Sequence, residues 1–182
     1  MIDFSHNFYY RALDFATKAH AGQTRKKSGA PYVTHPMRVA TLLALSNVLN
    51  GPLRSKKIVI KAALLHDVVE DTEYTVEDIR KEFGYSVAHL VKSLTKLPSE
   101  SKEAYVRRCI QNSFDSCLIK IADRIDNLNE AKSSFSPEKL QKYLESSEFI
   151  YAVAADTWRE DFLTTDLAQS LNVHIQLVKS SI

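Results

Sequence analysis

The sequence predicts an all-α fold, a compact helical bundle, on three observations. Apolar residues recur at intervals of three and four through most of the 182-residue chain, the period of a helix with one buried face. Four glycines and five prolines are too few to turn a multi-stranded sandwich and suit long uninterrupted helices. Helix start and stop residues fall between the periodic segments.

Phe8, Leu13, Phe15, Ala16 and Ala19 form a first stripe that ends near Gly22, a helix stop. Residues 23–34 are polar, basic and broken by Gly29 and Pro31, which makes them a loop. Pro36 suits the first turn of a second helix, which carries Val39, Leu42, Leu43 and Leu45 and stops by Gly51-Pro52. A third helix is expected from about Lys56 through Ile60, Ala63, Leu64 and Val68 to Asp71. Thr75 with Asp78 resembles a capping box and opens a short helix that closes at Gly84. Val87, Leu90, Val91 and Leu94 make the next stripe, ended near Pro98, and the polar residues 99–102 read as a mobile link. Helical stretches follow at about 104–111 and 116–131; the strand-like run 117–121 lies inside the second and is read as buried helix. Ser136-Pro137 is an N-cap with proline at the first helical position, opening a long helix through Tyr143, Phe149, Ile150 and Val153. A last amphipathic helix begins near Thr165. No repeat, low-complexity tract or linker divides the pattern, so residues 1–182 are expected to form a single domain.

Hydrophobic residues at 45% and charged residues at 25% are ordinary soluble proportions. A net charge of +2 gives no general argument for nucleic acid or a membrane surface. Local basic clusters (Arg25-Lys26-Lys27, Arg54 with Lys56-Lys57, Arg107-Arg108) could still meet an anionic ligand. Cys109 and Cys117 are the only cysteines and have no motif spacing, which reads as free thiols in a reducing compartment. There is no basic-then-apolar leader, and no apolar stretch reaches the roughly 18 residues of a membrane span. The expectation is a cytoplasmic protein with neither nucleic acid nor membrane as partner; oligomeric state stays open, a homo-oligomer included.

The chemistry concentrates in residues 63–72, where His66, Asp67, Glu70 and Asp71 crowd onto an otherwise apolar helix. His66 and Glu70 are four apart, as are Asp67 and Asp71, so all four project from one connected sector. Three clustered acids repel one another, and a bound cation or a role needing a raised pKa would offset that cost. A bare His-Asp pair is a weak signal, but two more candidates sit where helices meet loops. His35 precedes Pro36 at a helix start, and Asp123 is embedded in the apolar run 118–127. A mixed nitrogen and oxygen set of His35, His66, Asp67 and Asp123 suits manganese, iron or zinc. Four protein ligands leave room for water and a substrate oxygen, as hydrolysis of a phosphoryl group near neutral pH requires. Glu70 and Asp71 would then position or deprotonate the water.

The order His, His-Asp, Asp on a helical chain resembles the HD-domain phosphohydrolases. Residues 18–25, 28–36, 62–72, 94–97 and 119–124 are similar to one branch, the hydrolase domain of RelA/SpoT-type alarmone enzymes and their single-domain relatives. The likeness runs from about Phe8 to Tyr151, and the synthetase domain of the long enzymes is expected to be absent. It implies metal ligation by His35, His66, Asp67 and Asp123, with manganese foremost and Fe2+ or Zn2+ as alternatives. It implies Glu70-Asp71 as the catalytic acid pair. It puts a guanine-contacting loop on Arg25, Lys26, Lys27 and Ser28, with either Arg25 or Lys26 stacking on the base. Asn127 matches a sugar contact, and Glu148 and Tyr151 match residues of a late helix that closes the pocket. The implied reaction is attack of a metal-activated water on the phosphorus at the ribose 3′ oxygen of guanosine tetra- or pentaphosphate, releasing pyrophosphate.

Residues 126–130 depart from that branch, which has a histidine or tyrosine before the asparagine and an arginine or threonine shortly after it. Here Asp126 precedes Asn127 and Glu130 follows, and an added acid beside a polyphosphate should weaken its binding. Two further readings therefore stand beside the alarmone hydrolase: an HD-domain phosphatase acting on the NADPH 2′-phosphate or a nucleoside monophosphate, and a non-catalytic nucleotide sensor. The filled acid positions argue against the sensor. His20 reads as a capping or packing residue, His6, His89 and His174 as structural or surface, and Trp158 as a core or interface residue. Lys120 and Arg124 either pair with acids or reach phosphates.

Overall fold

A computed structural model describes residues 8–26, 28–50 and 56–182. Lys27, Arg54, His6 and the expected stop at Gly51-Pro52 lie outside the described residues. In chain order the helices are α1 (Phe8–Ala19), α2 (Thr34–Leu45), a 3-10 turn at Asn47–Asn50, α3 (Lys56–Leu65), α4 (Val68–Asp71), α5 (Val76–Phe83) and α6 (Tyr85–Leu94). They continue as α7 (Lys102–Asn112), α8 (Phe114–Ser134), α9 (Pro137–Leu163) and α10 (Asp166–Lys179). Among the described residues the only β pairing is an isolated bridge between Thr24 and Pro31. The all-α expectation holds.

Two helices organise the interior. α8 packs against α2, α3, α6, α7, α9 and α10, and Leu118, Ile119, Ile121, Ile125 and Leu128 on it are buried. The run 117–121 is therefore buried helix, as its setting predicted. α3 carries Val59, Ile60, Ala62, Ala63, Leu64 and Leu65, all buried, and it packs against α1, α2, α6 and α8. A helix apolar on nearly all sides belongs in the centre of a fold. These two central helices bring Asp123 and His66 into the interior, where the surrounding packing fixes them.

The caps read from the sequence form as expected. Thr75 and Asp78 make both bonds of a capping box, and Ser136 accepts from the Lys139 amide; the last helix begins at Thr165 as expected, and Thr165 also caps it by accepting from the Ala168 amide. A second box, Ser113 with Ser116, starts α8 earlier than periodicity suggested. The mobile link expected at 99–102 is instead held. Ser101 caps α7 through the Ala104 amide, and Glu100 accepts two bonds of 2.8 Å from Arg108. Leu45, expected on the apolar stripe, is 80% exposed. Trp158 is partly buried against the core, and its indole N–H donates to the Ile110 carbonyl at 2.9 Å.

The third helix is the main correction. It does not run unbroken to Asp71: α3 ends at Leu65, His66 and Asp67 form a turn, and α4 begins at Val68. His66 Nδ1 lies 2.8 Å from the Ala63 carbonyl oxygen. That oxygen is the one a continuing helix would offer to the Asp67 amide, so the imidazole competes with the backbone for it. A new turn then starts, with the Asp71 amide donating to the Asp67 carbonyl. The break sets His66 and Asp67 at a corner between two helices.

The loop before α2 is a small hairpin. The Arg25 amide donates to the Ala30 carbonyl, the Tyr32 amide to the Gln23 carbonyl, and Gly29 turns the chain at φ 68°. No helix among the described residues is long and apolar enough to cross a membrane.

Candidate metal centre

Three of the four expected ligands converge most closely. One donor atom each from His35, His66 and Asp123 lies within 4.8 Å of the others, and all three residues are buried. His35 comes from the start of α2, His66 from the corner after α3, and Asp123 from the middle of α8. Asp67 stands alongside, with Oδ1 3.1 Å from His66 Nε2 and Oδ2 3.5 Å from His35 Nε2.

The far side of each imidazole decides what the near side can do. His35 Nδ1 donates to Asp126 Oδ2 at 2.7 Å, and His66 Nδ1 donates to the Ala63 carbonyl. Both rings are thereby held in the orientation that turns Nε2 inward, the arrangement of metal-ligating histidines. His66 Nε2 is buried and has no well-formed hydrogen bond, an orphaned donor atom of the kind a cation satisfies. Asp123 is oriented likewise: Lys120 Nζ holds Oδ2 at 2.9 Å and Asn127 Nδ2 donates to Oδ1 at 2.5 Å. Oδ1 faces His35 Nε2 at 3.2 Å. This donor set fits a divalent ion.

Charge supports the same fit. Burial lowers His35, yet its bonds to Asp123 and Asp126 and the nearby Asp67 carry it to about 9. His66 is also raised against burial, by Asp67 first. Burial opposes ionisation of Asp123, but Lys120 and the imidazoles hold its carboxyl well below the usual range. Asp67 is depressed too, against burial, by His66 and then His35. The cluster thus demands positive charge in its middle, from protons on the imidazoles or from a cation replacing them.

Glu70 and Asp71 differ from these ionised ligands. Burial first, then the Asp67 charge, raises both above ordinary carboxyl values. Glu70 Oε2 accepts the Lys96 amide at 2.9 Å. Asp71 Oδ2 receives the Tyr32 hydroxyl, which also donates to Asp67 Oδ2 at 2.7 Å. A raised carboxyl beside such a cluster suits proton transfer.

Two clefts flank the cluster. The first, about 640 Å3, includes Arg25, Tyr32, Asn127, Glu130, Phe135 and Tyr143 in its walls. The second, about 710 Å3, is lined by Lys96, Lys102, Lys120, Arg124, Lys139 and Lys142, with only Glu103 and Glu145 as acids. They share Lys139 and Tyr143, and each reaches a partner of Asp123, Asn127 in one and Lys120 in the other.

Other expected residues fall elsewhere. Lys26 is exposed on the rim of the first cleft. Ser28 is exposed, and its hydroxyl accepts from the Ala30 amide at 3.4 Å; it lines neither cleft. Tyr151 also lines neither cleft and packs edge-on to Phe162; the aromatic residues of α9 in these walls are Tyr143, in both clefts, and Phe149, in the second. Glu148 pairs with Lys179 at 2.6 Å, joining α9 to α10. His20 packs over Tyr32, as read.

The sequence reading missed the supporting residues. Tyr32 lies inside the noted run 28–36, but its bonds to two acids need the folded hairpin. Asp126 was read only as a departure, yet it is 4% exposed and holds His35 while receiving both Arg38 Nε and Nη2. Asp126→Ala should weaken divalent-ion affinity about 10- to 100-fold, the usual effect of removing the partner that orients a ligating histidine. Calorimetric titration with Mn2+ measures this, and unchanged affinity would reject the orienting role.

Comparison with known proteins agrees with the geometry. Residues 12–157 match the HD domain family. A guanosine-3′,5′-bis(diphosphate) 3′-pyrophosphohydrolase of Aquifex aeolicus is 38% identical over 152 residues, covering 80% of this chain and 20% of that one. A probable GTP pyrophosphokinase of Mycobacterium leprae is 37% identical over 152 residues, covering 79% and 18%. The chain thus spans about a fifth of the length of these curated relatives. A solved structure described as a metazoan ortholog of SpoT that hydrolyzes ppGpp superposes with a TM-score of 0.77 at 29% identity, covering 97% of this chain and 98% of that one.

Proposed function

The chain belongs to the HD-domain family, and we propose that it hydrolyses guanosine 3′,5′-bis(diphosphate) at the 3′ position, releasing pyrophosphate. The observation that carries this reading is the inward-facing set of His35, His66 and Asp123, with Asp67 beside it and the raised carboxyls of Glu70 and Asp71 next in line. The names of the relatives support the substrate, as do two adjoining clefts that both carry aromatic residues, one of them strongly basic.

His35, His66, Asp67 and Asp123 would hold the ion, and a mixed nitrogen and oxygen donor set favours manganese, with Fe2+ or Zn2+ as alternatives. Such an ion supplies Lewis-acid polarisation of a phosphoryl oxygen and a water acidic enough to attack near neutral pH. Glu70 takes the proton of the attacking water, while Asp71, tied to Tyr32 and to Gln23 through its carbonyl, fixes the edge of the water site. Asn127, bonded to Asp123 and Arg25, meets the sugar, and Arg25 flanks the base. The lysines of the second cleft receive phosphate oxygens at long range. Water adds to the 3′ phosphorus, the bond from phosphorus to the 3′ oxygen breaks, and that oxygen leaves with a proton as the nucleoside hydroxyl.

A panel of guanosine tetraphosphate, NADPH and nucleoside monophosphates, each with added Mn2+, tests the substrate. The tetraphosphate should have the highest kcat/KM and yield pyrophosphate. Orthophosphate from NADPH or a monophosphate as the preferred reaction would replace this reading with the phosphatase one. No turnover by ion-loaded protein would leave a sensor.

A further inference from the structure

Arg25 is held from one side by α8. Its Nη2 donates to Asn127 Oδ1 at 2.9 Å and to the carboxylate of Glu130. The pair is well covered, with the Arg25 side chain 10% exposed and that of Glu130 18%. Asn127 and Glu130 are three apart on one helix, so they face the hairpin together. Across the guanidinium, its carbon sits 5.9 Å from the Tyr32 ring centre. Glu130 is absent from the lysine-rich cleft and lies in the walls of the aromatic one. The acid expected to repel a polyphosphate is therefore engaged by a cation, away from the cleft where positive charge gathers.

We propose that Glu130 is a specificity-determining residue: it pins Arg25 edge-on to α8, so that the first cleft offers a nucleobase a flat guanidinium face while the Nη2 edge of Arg25 is taken up by Glu130 and Asn127 and closed to a phosphate. A guanidinium whose N–H edge is satisfied by a carboxylate and an amide still stacks through its plane. Its charge is cancelled locally by the carboxylate in contact with it, whereas the neighbouring cleft adds Lys96, Lys102, Arg124 and Lys142 to the Lys139 that both clefts share. The two ends of a nucleotide are thus sorted by charge, base to one cleft and phosphates to the other. This inference rests on the nucleotide reading above but not on turnover.

Binding of two probes, GDP and inorganic pyrophosphate, to Mn2+-loaded protein separates the possibilities. Glu130→Gln should weaken GDP binding about tenfold, the scale of one charge-assisted bond, while pyrophosphate binds as well as before or better because Arg25 is released. Glu130→Asp should recover most of the GDP affinity, and with guanosine tetraphosphate the Glu130→Gln change should appear more in KM than in kcat. Unchanged GDP affinity, an equal loss for both probes, or no GDP binding by the unmodified protein would overturn the proposal. Unmodified protein that binds GDP without hydrolysing the tetraphosphate would reject the hydrolase instead, and the contrast between probes would still decide the role of Glu130.

Discussion

His66→Ala is expected to empty the metal centre and to lower hydrolysis by at least about a thousandfold. His66 supplies one of the three donor atoms that converge within 4.8 Å, and no other residue described there could take its place at the corner after α3. A catalytic ion contributes several kcal/mol of transition-state stabilisation, and about 4 kcal/mol is already a factor of a thousand. Removing the ring also frees the Ala63 carbonyl that Nδ1 holds, so α3 and α4 could join differently and the fold needs a separate control. Asp67→Ala supplies it, because Asp67 contacts both imidazoles through its side chain and leaves that carbonyl untouched. Metal content of the two purified variants, alongside their circular dichroism, is the measurement. A folded variant that keeps its ion and its rate would remove these residues from the centre.

Glu70→Gln should behave oppositely, keeping the ion and losing about 10²- to 10⁴-fold in kcat, the range for loss of a general acid–base group. Glutamine preserves an oxygen that can accept the Lys96 amide bond now made at 2.9 Å, so the segment after α6 stays attached. It cannot accept a proton, which is the property that burial and the nearby Asp67 enhance by raising Glu70 above its ordinary value. Single-turnover kinetics at saturating Mn2+ isolates the chemical step. Full activity in that variant would transfer the role to Asp71 or to no protein group.

The parts of this molecule that were legible in the sequence are those decided locally. Ser136-Pro137 and Thr75 with Asp78 cap helices through bonds spanning three residues, and each could be read directly. The apolar period of α8 likewise announced a buried helix carrying Asp123. The unreadable parts depend on contacts distant in sequence or on competition for one acceptor. The break at His66 arises because a side chain takes a carbonyl from the backbone, and periodicity carries straight across it. Asp126 looked like a lost histidine or tyrosine until the fold set it against His35, 91 residues away. Glu130 looked like an acid opposing phosphate until the hairpin delivered Arg25 from 105 residues away. Tyr151 fitted a family position by spacing, but the rotation of α9 turns Tyr143 into the cleft walls and Tyr151 onto Phe162.

Hydrolysis of guanosine tetraphosphate by Mn2+-loaded protein in 18O-labelled water, followed by mass analysis of both products, tests the central claim most directly. Attack at the 3′ phosphorus predicts pyrophosphate carrying one labelled oxygen and unlabelled GDP. Label in the nucleoside, or orthophosphate as the released product, would contradict it.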